Sequence, residues 1–209
     1  MRNKTSIFLL VFFMALSTAF LGYYYYAYRQ APKHLPVYGN PGHHVEEFSF
    51  INQDGKTITD KDMDGKIYVT EFFFSTCEGI CPKMNENMTL VAQEFRGQND
   101  VAILSHTVKP EEDSVARLKE YSLKFDIDPN QWNFLTGNRD EIYKMAINSY
   151  LVPVAIDSSN PSKLPEFIHS ERFVLVDKEK QIRGAYDGTN VADVKKLIED
   201  IKELRKEYK

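Results

Sequence analysis

Cysteine is almost missing from this sequence: Cys77 and Cys81 are the only two in 209 residues. A small secreted framework stapled by several disulfides is therefore excluded, and the chain must fold on its hydrophobic core. Glycine (10) and proline (9) are too scarce for a fibrous or low-complexity chain. A basic excess is missing too, since 26 Lys and Arg face 30 Asp and Glu for a net charge of −4. Binding along a nucleic-acid backbone needs a basic surface, so nucleic acid is not an expected partner. No internal repeat is visible, and the length suits one domain, or one domain with an appendage.

The charge is unevenly spread. Residues 1–33 hold Arg2, Lys4, Arg29 and Lys33 and no acid, which leaves −8 on residues 34–209. Residues 7–28 run for 22 positions without a charge, amide or histidine. About 20 apolar residues cross a bilayer as a helix, and the basic residues before the run keep the N-terminus in the cytoplasm. Tyr23 to Tyr26 and Tyr28 would sit at the outer interface. The run exceeds the ~7–15 residues of a signal-peptide core, so it reads as an uncleaved anchor. Ala15-Leu16-Ser17 and Ser17-Thr18-Ala19 offer small residues for cleavage as the rival reading. No cysteine follows the run, which argues against a lipid anchor.

The expected division is therefore 1–29, cytoplasmic N-terminus and transmembrane anchor; 30–45, linker; and 46–209, the exported domain. The stretch 30–45 has three prolines, two glycines and no periodicity. Its histidines, His34, His43 and His44, read as solvated, with accessory metal capture as the alternative.

Within the body, Phe48–Ile51 and Thr57–Thr59 flank Asp54-Gly55, a hairpin signal. Ile67–Phe74 is β-branched and aromatic, a buried strand. Pro82–Phe95 follows as a helix, with proline tolerated in its first turn. Val101–Val108 and Trp132–Leu135 read as strands. Glu111–Phe125, Arg139–Tyr150 and the amphipathic stretch Val191 to Leu204 read as helices. Residues 156–168 form a polar loop, and Phe173–Val176 with Ile182–Tyr186 a second hairpin. This alternation predicts an α/β fold with a central mixed sheet flanked by helices on both faces.

The chemistry-bearing residues are Cys77 and Cys81, which flank the turn from a strand into a helix. Such turns are where α/β folds place their sites, and a helix N-terminus favours thiolates. A three-residue spacing permits a disulfide, and equally a two-thiolate clamp for a soft metal such as Cu(I), with Zn(II) competing. Two buried structural thiols are the bland alternative. A metal clamp needs a further ligand, and spacing alone does not choose between His169 and His106. Met84 and Met88 share the helix face of Cys81 and read as core rather than ligands. Glu78 reads as a loop acid that would raise the thiol pKa.

FFFSTCEGICPKM, SHTVKPEEDSVARLKEY, WNFLTG and IHSERFVLVDKEKQIRGAYDGT together resemble the Sco/SenC family over about residues 38–205. That resemblance implies a thioredoxin-like fold of the peroxiredoxin-like variant. It also implies copper, as Cu(I) or Cu(II), bound by Cys77, Cys81 and His169. The implied role is assembly of the Cu-A centre of cytochrome c oxidase, as a metallochaperone or as a thiol:disulfide oxidoreductase using Cys77 and Cys81 as its redox pair. The implied partners are the oxidase subunit carrying Cu-A, a copper donor and a thiol reductant. The implied place is the bacterial cytoplasmic membrane, with a single pass and the body outside. A thiol peroxidase fits the fold but not the paired thiols beside a histidine. The chain departs from the family at Val108-Lys109-Pro110-Glu111, where relatives often have Asp in place of the lysine; Lys109 is expected to lie in solvent.

Overall fold

The computed structural model describes residues 3–30, 34–153 and 170–208 and forms two units, residues 1–33 and 34–209. The first is one helix, α1 (Lys4–Gln30). Its stretch Lys4–Ala27 is long and apolar enough to cross a membrane, about 36 Å at 1.5 Å per residue. Phe8, Phe13, Leu10 and Phe20 on it are all exposed within the unit.

The second unit is built on seven strands: β1 (Ser49–Asn52), β2 (Thr57–Thr59), β3 (Ile67–Phe73), β4 (Val101–Thr107), β5 (Trp132–Thr136), β6 (Arg172–Val176) and β7 (Ile182–Asp187). They form one sheet in the order β2-β1-β5-β4-β3-β6-β7. The central β3, β4 and β5 are parallel, and the outer pairings are antiparallel, so the sheet is mixed as expected. The helices are α2 (Cys81–Glu94), α3 (Val115–Ser122), α4 (Arg139–Lys144) and α5 (Val191–Glu207). A 3-10 turn at Asp60–Met63 and a π-helical turn at Met145–Ser149 complete them.

Side chains alternate across each strand, so the sheet carries two cores. On one face Val69, Phe73, Ile103 and Phe134 pack with α2, α3 and α5. On the other Tyr68, Phe72 and Leu104 pack with α4, the π-turn and Met63. At Asp54-Gly55 the expected hairpin turn forms with Gly55 at φ 74°, and Asn52 Oδ1 accepts from the N–H of Asp54 and Lys56 at 3.0 and 2.9 Å.

Two helices are shorter than their periodicity predicts. The stretch from Glu111 becomes helical only at Val115, where Ser114 caps it by accepting from Arg117 N–H. Asp113 is drawn into the body, which keeps residues 108–114 a loop. The helix from Arg139 gives way at Met145 to the π-turn, and Leu151 follows at φ 53°.

Residues 34–45 lack regular elements, as expected of a linker, yet they are fastened to the body. Tyr38 bridges Ile182, and Val45 N–H donates to the Lys180 carbonyl at 2.8 Å. Buried Arg183 pairs with Asp177 at 2.8 Å and Glu207 at 2.9 Å, and donates to the carbonyls of Leu35 and Pro36. The solvated reading holds for His44, which is exposed with its Nδ1 3.0 Å from the Glu179 carbonyl, whereas His43 is half-buried with its Nε2 2.9 Å from that of Ser149. The segment pairs with the outer edge of β7 at its first residue, Ile182, whose carbonyl accepts the Tyr38 N–H at 2.9 Å.

His106 sits within β4, fully buried. Phe48, Phe50, Phe72 and Tyr150 surround it with ring centroids 5.2–6.3 Å away, and neither ring nitrogen has a hydrogen-bond partner. Burial holds its pKa down, to about 3. In the unfolded chain the imidazole regains its ordinary value near 6.5. Below that pH the unfolded chain takes up a proton that the folded one refuses. Stability is therefore fully present above pH ~6.5 and falls by about 1.4 kcal/mol per unit down to pH ~3. Glu71, pushed by burial up to about 7, works in the opposite sense, losing stability as pH rises from ~4.5 to ~7. Urea unfolding at pH 7 and 5 isolates the histidine: His106→Phe should lose about 2 kcal/mol less than wild type between the two. Equal losses would refute the buried neutral imidazole.

Candidate metal centre

β3 ends at Phe73, and residues 74–80 turn the chain into α2, which begins at Cys81. Cys77 N–H closes the turn onto the Phe74 carbonyl at 3.2 Å, and Pro82 occupies the first helical turn. Cys77 is half-buried and Cys81 buried, both as free thiols.

The environments of the two thiols push their pKa values apart. Burial alone would raise Cys77. The Cys81 thiol and the backbone N–H groups of Cys81, Gly79 and Ile80 outweigh it and hold Cys77 below the ordinary thiol range. Burial raises Cys81 to about 12; its bond to Cys77 adds to this, as do the charges of Cys77 and Glu71, while the Phe74 backbone opposes it. The expectation that the helix N-terminus would ease ionisation of both thiols is thus correct for Cys77 alone. Cys81 points into the core beside Met84 and Met88, both fully buried, which fill space as expected.

Two acids missed in the sequence are buried, one in β3 before this turn and one in the loop beside it. Glu71 is fully buried in β3 on the Cys81 face; Ser105 Oγ donates to its Oε1 at 2.6 Å and Trp132 Nε1 to Ser105 Oγ at 2.8 Å. An acid inside the apolar run IYVTEFFF was the available signal. Asp113 is also fully buried and bonds to Ser75 and Thr107. Its spacing from the cysteines carries no such signal. Lys109 lies at the surface, partly exposed as expected, with its Nζ 3.1 Å from Glu112 and 4.6 Å from the Phe74 ring centroid.

His106 is excluded from the site. It pairs with Phe72 across β3 and β4 and faces the opposite core from Cys81. His169 and the expected loop 156–168 lie outside the described residues. Ser170, the chain neighbour of His169, lines a hollow of about 320 Å³ together with Ile80, Pro153, Glu171 and Arg172. Among the described residues no third His, Cys, Asp or Glu joins the two thiols.

Such a pair can clamp a soft cation or exchange with a disulfide, with Cys77 as the accessible nucleophile. Iodoacetamide at pH 7.5 should label Cys77 at least about tenfold faster than Cys81. Peptide mapping by mass spectrometry checks the order, and equal rates would contradict the asymmetry.

A sequence model of the SCO1/SenC family matches residues 37–206. The chain belongs to the SCO1/SenC family. The SCO1 protein homolog of Bacillus subtilis is 32% identical over 160 residues, 76% of this chain and 81% of that one. The solved structure of BsSco, described as a member of the Sco family of cytochrome c oxidase assembly proteins with a disulfide switch, is 30% identical. It covers 84% of this chain and 98% of its own, with a TM-score of 0.67. Arabidopsis thaliana ScoI, solved with copper bound, is 28% identical over 78% of this chain and 98% of its own, at a TM-score of 0.60. The mixed sheet flanked by helices is the thioredoxin-like arrangement of these Sco structures, as the resemblance implied.

Proposed function

We propose that this protein is a membrane-anchored copper carrier that assists assembly of the Cu-A centre of cytochrome c oxidase. The observation that carries the reading is the asymmetric thiol pair at the β3–α2 turn of a SCO1/SenC chain. Copper is its cargo. The donor chemistry fits: a half-buried and a buried free thiol stand at the start of α2, and soft thiolates select Cu(I). His169 supplies the third ligand, an imidazole that suits both copper oxidation states. The hollow joining Ser170 to Ile80 supports this, because adjacent Cα atoms lie only about 3.8 Å apart. The family's copper-bound members, such as Arabidopsis ScoI, support the cargo. The receiving partner is the oxidase subunit that carries Cu-A, served by a copper donor and a thiol reductant.

The thiol asymmetry also favours a second reading, a thiol:disulfide oxidoreductase that keeps the oxidase cysteines reduced. Cys77 would attack the target disulfide and Cys81 would resolve the mixed disulfide, leaving a Cys77–Cys81 disulfide and a reduced dithiol on the target. The disulfide switch ascribed to BsSco supports this role.

Copper titration of the full chain in detergent separates these roles. Reduced protein should bind one copper per chain, and oxidation to the Cys77–Cys81 disulfide should abolish binding until the thiols are restored. His169→Ala should still form the disulfide, weaken Cu(II) more than Cu(I) and shift the sulfur-to-copper absorption band. His106→Ala should leave that band in place. Full copper binding by oxidised protein would overturn the carrier reading, and a band shifted by His106→Ala rather than His169→Ala would overturn the ligand assignment.

The α1 helix anchors the body to the bacterial cytoplasmic membrane in a single pass, with residues 1–29 as the cytoplasmic end and anchor. Arg2 and Lys4 before the apolar run support an orientation with the body outside. Alkaline phosphatase fused after Lys33 should be active, and the extracted protein should keep residues 1–20. A mature N-terminus near residue 20 would show a cleaved signal instead.

A further inference from the structure

We infer that Asp113 is a positioning residue that fixes the turn carrying Cys77, so that its sulfur can act together with that of Cys81. The inference rests on the dithiol reading of Cys77 and Cys81 and adds what keeps that pair aligned.

The turn has little to hold it by itself. Residues 74–80 form no regular element, and α2 has no side-chain N-cap. Support comes from the loop between β4 and α3, residues 108–114, which lies alongside and meets the turn residue by residue. Lys109 covers the Phe74 ring, Thr76 Oγ1 donates to Glu112 Oε2 at 2.9 Å, and Ser75 is bound to Asp113. The first two contacts are exposed and weak. The third is buried: Asp113 Oδ2 accepts the Ser75 N–H at 3.1 Å, Oδ1 accepts the Ser75 hydroxyl, and Oδ2 also accepts the Thr107 hydroxyl. Arg117 Nε donates to Ser75 Oγ at 3.2 Å from above.

Ser75 is therefore held by its backbone and its side chain at once. It lies two residues before Cys77 and next to Phe74, whose carbonyl receives the Cys77 N–H at 3.2 Å. A carboxyl group with three donors on it has one orientation, and through Ser75 and the neighbouring Phe74 carbonyl that orientation fixes the backbone that carries Cys77 toward Cys81 at the start of α2. Preorganisation of this kind raises the effective concentration of one sulfur at the other. It should therefore strengthen two unrelated reactions together, chelation of one Cu(I) by both sulfurs and closure of the disulfide.

The test measures both constants on the full chain in detergent: Cu(I) affinity by competition with a chromogenic chelator, and the disulfide equilibrium in glutathione buffer. Asp113→Asn turns an amide N–H₂ toward hydroxyl donors, and Ser75→Ala removes one donor while sparing the fold if Asp113→Asn fails to fold. Either variant should lose about tenfold in both constants, the disulfide shift being about 30 mV toward easier reduction. Thr59→Ala, which removes the hydroxyl of the capping box at the end of the edge strand β2, with three strands between it and β3, should lower thermal stability and leave both constants unchanged. The inference is overturned if the two site variants keep both constants within about twofold, or if Thr59→Ala shifts them equally. Failure of the wild type to bind copper would sink the carrier reading alone, because the disulfide constant still reports positioning.

Discussion

The parallel register between β3 and β4 is the constraint on which this site depends. Ile67 pairs with Val101 and Phe73 with Thr107, so the two strands end level with one another. Their C-terminal loops must then leave the sheet side by side, one carrying the cysteines and the other Asp113. A slip of one residue would exchange the faces of every side chain on the moved strand. It would bring His106 to the cysteine face and turn Ser105 away from Glu71. Strong hydrophobic demand on both faces, from Val69, Phe73 and Ile103 on one side and Tyr68, Phe72 and Leu104 on the other, resists that slip.

The same geometry makes the two thiols unequal. A helix N-terminus offers free N–H groups only to an atom lying off its end. Cys77 is in the loop and meets those groups; Cys81 is the first helical residue and directs its sulfur inward among Met84, Met88 and Phe73. Burial beneath it, with Glu71 on the same face, keeps that thiol protonated. One accessible nucleophile beside a thiol that keeps its proton suits disulfide exchange, whereas a metal held by both sulfurs would have to displace that proton, which makes capture pH-dependent.

The segment 34–45 shows how an irregular stretch becomes part of a fold. It adds a bridge to the outer strand and satisfies carbonyls through Arg183, whose charge is balanced by Asp177 and Glu207. Removing one member of such a buried cluster leaves an uncompensated charge, at a cost of about 3–5 kcal/mol. The segment therefore reaches the body as a fastened edge.

Local signals in the chain determined much of this protein. An uncharged run sets the length of α1, alternation of period fixes the order of strands and helices, and the cysteine pair at a strand-to-helix turn marks the site. Each depends only on neighbours within a few residues, so it is legible without a structure. Helix ends were less legible, because Asp113 is pulled inward by partners from two other elements and the π-turn after Lys144 follows packing rather than propensity. Tertiary structure alone decided that His106 faces away from the cysteines, that Lys109 is paired, that His43 is half-buried, and that only Cys77 ionises easily. These follow from register and burial between residues tens of positions apart, and the energy of a thiol or an imidazole in a fold depends on what surrounds it, which spacing along the chain does not encode.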